Sequence, residues 1–547
     1  MKTYPCSDRL TIKRRKGARP TKKLKLLLLA GLAALCLTGC GSQIEFTWAM
    51  ERVPGNLDPQ LAWESPELIA VTNLYSGLFR LDDAGEPVPD CAESYTVSED
   101  GLTYTFTLKE GLGYTQNRGD ESEYELTAAD FVFGLRRVFR SETNSPYTST
   151  YAALKNSAEV LVGTMDETAL GVSAPDERTV VIQLDQPDPQ LLYKLALPGA
   201  MPCNEEFFES TEGSYGLTRA ATMGNGSFYV YNWNDNGLFL RRPANGDAVT
   251  ALRLVINATG EASSSSGSSS AAGEALWGEA LVKEGGATAA LSETLSADGL
   301  DSIPYTATTW VLLFNCGDET LAQPLIREAL AASARGAAVE LPEGFEAADG
   351  LIPPAVTVQG ENYREAAGSM QPAFGSAVDL CREGLAALSL SRFESITLLV
   401  PEGSDYLQLA QSVNQQWQKD LGAFSAYFPV EQASLEEVNA RVASGDYQIA
   451  LLPLSLSSDS AAELLRQTAS LADWIDSGWQ RQLDALFNDG THTADDVAAL
   501  ERTLLESACV TPLWFQTKAL LVQPGVQGLV FRPFGPVLDL TNATIAQ

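Results

Sequence analysis

The chain has 547 residues, with 37 Lys+Arg against 70 Asp+Glu and a formal net charge of −33. So acidic a surface repels phosphates and anionic headgroups, which argues against a nucleic-acid partner. Its 45% hydrophobic content is that of a folded globular protein, and a single histidine, His492, argues against multi-histidine metal sites and histidine-based catalysis.

The chain opens on a basic leader whose last cation is Lys25, followed by the apolar run Leu26–Leu37. A positive segment, a short apolar segment and a small residue before a cut mark a secretory signal, and the run is too short to span a bilayer as a helix. Leu37-Thr38-Gly39-Cys40 resembles a bacterial lipobox, which implies cleavage after Gly39, lipidation of Cys40 and an extracytoplasmic, membrane-tethered product. The alternative is an ordinary secretory signal with a chance cysteine. Removing residues 1–39 leaves 547 − 39 = 508 residues, enough for two or three domains. The other cysteines past the leader (Cys91, Cys203, Cys316, Cys381 and Cys509) form no CxxC pair and read as buried free thiols.

In chain order, Leu102–Leu108 alternates apolar residues with threonines as a half-buried strand does. Thr127-Ala128-Ala129-Asp130 then opens a helix striped by Phe131, Leu135 and Val138. Further strands are predicted at 179–184, 228–231, 238–241 and 309–314. The stretch 262–273 is Ser/Gly-rich and reads as a flexible surface insertion. From 391 to 454 the rhythm changes to strand 396–400, helix 406–421, strand 426–430, helix 434–442 and strand 447–452. Alternating β and α elements predict a largely parallel, helix-covered sheet. A second, more antiparallel lobe precedes it, and a cleft between two lobes is where a ligand binds. Near the end, Thr493-Ala494-Asp495-Asp496 reads as a helix start beside His492.

Several stretches, in order, resemble the solute-binding proteins of peptide ABC importers, most closely the oligopeptide-binding branch. They are Asn56-Leu57-Asp58-Pro59, Asn73-Leu74-Tyr75-Ser76-Gly77-Leu78, and the run Gly85 to Tyr95, with Tyr95 where the family usually carries tryptophan. Leu126–Phe133, Ser145-Pro146-Tyr147, Asn225-Gly226-Ser227-Phe228-Tyr229, Phe314-Asn315, Thr511-Pro512-Leu513-Trp514-Phe515 and Pro524–Gly528 continue the series. The resemblance covers about 500 residues. It implies an α/β, two-lobed periplasmic-binding-protein-like (type II) fold with an extra subdomain inserted in the N-terminal lobe. The boundaries it suggests are a signal at 1–39, lobe I at 40–65, the subdomain at 66–175, lobe I again at 176–305, lobe II at 306–515 and a return at 516–547.

The same resemblance implies a monomeric receptor that takes an oligopeptide or other small solute to ABC permease subunits, without cofactor or catalysis. Its implied ligand-facing residues are Trp63, Glu64, Tyr147, Asn225, Gly226, Trp514 and Phe515, with Asp459 receiving a ligand ammonium. Taken singly, each has a structural reading: core packing for the aromatics, a turn for Asn225-Gly226, a solvated or capping carboxylate for Asp459. The chain departs from the family pattern after Leu452, where the usual tryptophan is missing and Asp459 is only the nearest carboxylate. A degenerate binding protein acting as sensor or scaffold, or a lipoprotein hydrolase, are the competing classes. No GxSxG elbow, Walker loop or HExxH helix supports the last.

Overall fold

Two long strands, Asp301–Phe314 and Val510–Val522, run antiparallel through the middle of the molecule and belong to both lobes. The computed structural model describes residues 43–546 apart from 51, 83–84, 116–120, 189, 244–245, 257–277, 359–360, 426, 456–459, 490–492 and 535–537. Cys40 and its leader, the Ser/Gly insertion, Asp459 and His492 lie outside the described residues.

In the first lobe the sheet runs Tyr229–Asn234, Gly237–Arg241, Ala251–Ile256, Glu45–Met50, Ala289–Ser292, then the outer half of Val510–Val522. The early hairpin is antiparallel, whereas Ala251–Ile256, Glu45–Met50 and Ala289–Ser292 are parallel. Phe46, Trp48 and Met50 alternate inward with period two and pack with Leu68, Ile69 and Val71 of helix Ser65–Leu74. Pro66 suits that helix's first turn, where its missing N–H has no partner to lose.

The inserted subdomain has its own antiparallel sheet, Ala92–Val97, Thr103–Leu108, Thr179–Gln183 and Val172–Asp176, covered by helix Ala128–Val138. Its apolar core draws on residues from Leu78 to Met223, while helix Ser65–Leu74 packs into the first lobe. The Thr127/Asp130 capping box is present: the Asp130 carboxylate accepts from Thr127 N at 2.7 Å.

In the second lobe, Val430–Ala433, Leu398–Pro401 and Ile449–Ser455 are parallel, and Ile449–Ser455 pairs antiparallel with the inner half of Asp301–Phe314. Both faces of this sheet are covered, so its central strands are apolar without alternation. Leu398, Val400 and Leu451 meet Leu409, Val413 and Trp417 of helix Ser404–Leu421. On the other face Leu399, Ala450 and Leu452 meet helices Ala461–Leu471 and Ala494–Glu506.

Two strands differ from the sequence reading. The strand predicted at 309–314 starts at Asp301, because Asp301, Ser302 and Pro304 hide its first half; those residues pair with Ala519–Val522 of the first lobe. The strand predicted at 426–430 is Val430–Ala433, the last of its sheet. Paired on one side only, it leaves Glu431 and Gln432 exposed, and the apolar signal upstream is Phe428, a fully buried core residue.

Candidate functional site

In open α/β sheets ligands bind beyond the carboxyl ends of the parallel strands. Here those ends are Met50, Ile256 and Ser292 in the first lobe and Pro401, Ala433 and Ser455 in the second. Arg52, Glu293, Gly403 and Ser434 follow within a few residues.

Trp63 and Tyr147 come together at this side of the first lobe, edge to face with centroids 5.5 Å apart. Tyr147 is buried: its hydroxyl donates to Ala62 O, and its ring lies over Gly199 so closely that a Cβ there would sit 2.6 Å from it. Burial pushes its phenol pKa up. Tyr147 is thus the base on which Trp63, 39% exposed, is propped toward solvent. Glu64 is the N-cap of helix Ser65–Leu74, and its carboxylate meets Arg52 at 2.5 Å.

Other residues the resemblance singled out are occupied within the fold. Asn225 accepts from Ser76 N at 3.1 Å and donates to Ser76 O at 2.8 Å, clamping the Asn73–Leu78 segment. Gly226 lies against Leu74; a Cβ would stand 2.6 Å from Leu74 C, and its own N–H donates to Leu74 O at 2.8 Å. Trp514 is buried in the core shared with Trp310 and helix Ser404–Leu421, and Phe515 is buried on the same crossing strand. Trp63, Glu64 and Tyr147 therefore gather in one place, while Trp514 and Phe515 belong to the other lobe.

Charged motif residues serve the scaffold. Asp58 is buried and takes both Arg137 nitrogens, at 2.5 and 3.1 Å, while Gln60 Oε1 accepts from Arg137 at 2.6 Å. This locks the Asn56–Gln60 loop onto the subdomain helix. Asn73 donates to Ile69 O and Leu538 O and accepts from Leu540 N, so it joins its helix to the C-terminal return.

The sequence reading missed two groupings. Arg52 is held by Glu67 through two bonds of 2.6 and 2.7 Å beside Glu64. Glu293 of the first lobe accepts from the Tyr406 hydroxyl of the second at 3.1 Å, with Lys518 3.8 Å away. Tyr406 packs against Trp310, tilted, with centroids 4.4 Å apart, and burial first, then Glu293, pushes its pKa up to about 12. Arg52, Glu67 and Glu293 carried no motif; only the strand-end rule applied to the finished sheet order finds them. A concavity of about 370 Å³ lined by Asn315, Asp318, Arg441 and Gln448 lies at the opposite, amino ends of the second-lobe strands. No cluster of metal-ligating side chains occurs among the described residues.

A sheet that passes from one α/β lobe to another through two long strands, with a subdomain on the first lobe, defines a two-lobed binding-protein fold. The sequence matches the profile of the bacterial extracellular solute-binding proteins, family 5, over residues 86–475. The chain belongs to that family. It is 32% identical over 182 residues to the probable deoxycholate-binding periplasmic protein YgiS of Escherichia coli, a stretch covering 33% of each chain. It is 34% identical over 194 residues to the oligopeptide-binding protein AmiA of Streptococcus pneumoniae, covering 35% of this chain and 29% of that one. These matches span about a third of the relatives' length; a longer match, 22% over 501 residues and 89% of each chain, is to the dipeptide-binding protein DppE of Bacillus subtilis. The fold is shared with Listeria monocytogenes OppA bound to peptide, at TM-score 0.66 and 18% identity, covering 93% of this chain and all of that one. It is shared equally with the substrate-binding domain of an oligopeptide ABC transporter from Bacillus anthracis, at TM-score 0.65 and 21% identity, covering 93% and 99%.

Proposed function

We propose that this protein is the lipid-anchored receptor of an ABC importer, tethered through Cys40, that captures an oligopeptide between its lobes and delivers it to the permease. The observation that carries the reading is the pair of crossing strands joining two lobes in a chain of this family. The names of AmiA and DppE support peptide as the solute. A solute touched by both lobes favours their approach, because only the closed arrangement supplies both sets of contacts. A micromolar Kd corresponds to about 8 kcal/mol, shared between contacts and closure. In this reading Trp63, propped on the buried Tyr147, offers an apolar surface on the first lobe, and Asp459, which follows Ser455 in the sequence, is the receiver of the ligand ammonium. No covalent chemistry is involved.

The similarity to YgiS supports a second reading, an amphipathic steroid acid as solute. Native mass spectrometry of the protein as purified, and again after unfolding and refolding, tests both. Extra mass lost on refolding and fragmenting as peptide supports the first reading; a steroid mass supports the second. A bare mass in both samples, with no shift on adding mixed di- to octapeptides, overturns the peptide reading.

A further inference from the structure

We infer that Arg52 is a carboxylate-binding subsite at which the chain's own Glu64 competes with the solute. The inference deepens the proposed solute-binding role and rests on it for the site's location.

Arg52 stands two residues beyond Met50, at the carboxyl end of a parallel strand, and its partner Glu64 directly follows the half-exposed Trp63 in the chain. Its end-on fork is committed: Nη1 and Nη2 donate to Glu67 Oε1 and Oε2 at 2.6 and 2.7 Å. Glu67 is fixed in turn, with its side chain only 9% exposed and Oε1 accepting from Gly55 N at 2.8 Å. The guanidinium is therefore immobilised with its second edge, Nε and Nη2, turned elsewhere.

That second edge is half used. Nη2 donates to Glu64 Oε2 at 2.5 Å, while Nε has no hydrogen-bond partner among the described residues. Glu64 is 69% exposed, against 44% for Arg52. An ion pair so wetted holds by little, and releasing its carboxylate to water costs correspondingly little. An incoming carboxylate that takes Nε and Nη2 together forms a bidentate pair, which is stronger and more directional than the single bond it replaces. The exchange leaves Arg52 between two carboxylates as before, Glu67 and the incoming one in place of Glu64. Glu64 is then an internal competitor that sets a threshold for acidic solutes.

The ligand class is an organic carboxylate, either a peptide's C-terminus or an acidic side chain. Isothermal titration of the purified protein with succinate, N-acetyl-Ala-Ala-Ala, its C-terminal amide, and N-acetyl-Ala-Glu-Ala amide separates these sources. Succinate reports the subsite whether or not peptides are the solute, so failure of the peptide reading and failure of this one are distinguishable. The Glu64→Gln protein binds succinate several-fold more tightly than the parent, and Arg52→Lys, which keeps the charge but loses the fork, binds it several-fold more weakly. Binding of the free-acid tripeptide but not its amide assigns the C-terminus; binding of the Glu-containing amide assigns the side chain. Succinate affinity unchanged by both substitutions, with both variants retaining the parent's circular dichroism and Tm, overturns the inference.

Discussion

Single residues show how buried charge was managed in so acidic a chain. Glu501 is fully buried, and each of its oxygens is used: Oε1 accepts from Leu351 N at 2.6 Å and Ile352 N at 3.2 Å, and Oε2 from Tyr363 at 2.5 Å and Arg364 at 2.8 Å. Glu501→Ala leaves Arg364 buried without its main partner and is expected to cost about 3–5 kcal/mol, read as a fall in the urea midpoint. Asp130 carries the opposite pressure. Burial raises its pKa to about 6, against the lowering effect of Thr127 and Asn204. The folded state therefore binds this proton more tightly than the unfolded chain, so the group's contribution to stability grows as pH falls from roughly 6 to 4 and is lost as pH rises back through the folded pKa. Asp130→Asn keeps a capping acceptor and removes the titration. The difference in Tm between variant and parent is expected to favour the variant at pH 7 and to shrink toward pH 4; a difference that does not change with pH refutes the argument.

At the scale of elements, the motif residues that resemble a binding loop are largely what joins one element to the next. The Asn225-Gly226 turn lies flat on the end of helix Ser65–Leu74, with its side-chain amide on Ser76 and its backbone on Leu74. Gly226→Ala puts a methyl 2.6 Å from Leu74 C, backbone that has no room to yield. A loss of about 1–3 kcal/mol is expected from the forced shift, with solute affinity per folded molecule unchanged. An affinity loss at full stability would instead place Gly226 against the solute. The register of the crossing strands shifts between Thr306 and Thr308 and again between Trp310 and Val311, and hydroxyls bridge the first of these regions: Thr306 to Thr517 at 2.8 Å and Thr308 to Ser455 at 2.9 Å. Shared hydroxyl bonds permit small rotations that a packed apolar seam resists, which suits a hinge.

For the whole molecule, two interlobe features work together. The paired strands connect the lobes, and the Tyr406–Glu293 bond joins one lobe to the other. If the solute closes the lobes, small-angle scattering of the protein is expected to show a smaller radius of gyration on adding whatever ligand mass spectrometry identifies. An unchanged radius at saturation would mean that the arrangement described is already the liganded one. Tyr406→Phe is expected to enlarge the solute-free radius while leaving the saturated one in place.

The sequence by itself determined the elements whose signals are local. The Thr127/Asp130 capping box, the alternation in Thr103–Leu108, the helix over 406–421 and the parallel βαβ rhythm of the second lobe all follow from period and capping chemistry, and all are present. Free, mostly buried thiols were legible too, because five scattered cysteines offer no paired framework. Only the tertiary structure decided the rest. Asp301–Pro304 is a strand because Ala519–Val522 lies beside it, a partner more than 200 residues away that no local window contains. Asn225, Gly226 and Trp514 look alike in sequence whether they face a solute or a neighbouring segment, since the same amide, missing Cβ or indole serves both uses. Arg52, Glu64 and Glu67 become one cluster only when the fold brings the residues after the strand's end against the start of helix Ser65–Leu74. Chemistry that depends on which strand ends meet is a property of sheet order, and sheet order is set by long-range burial rather than by neighbours in the chain.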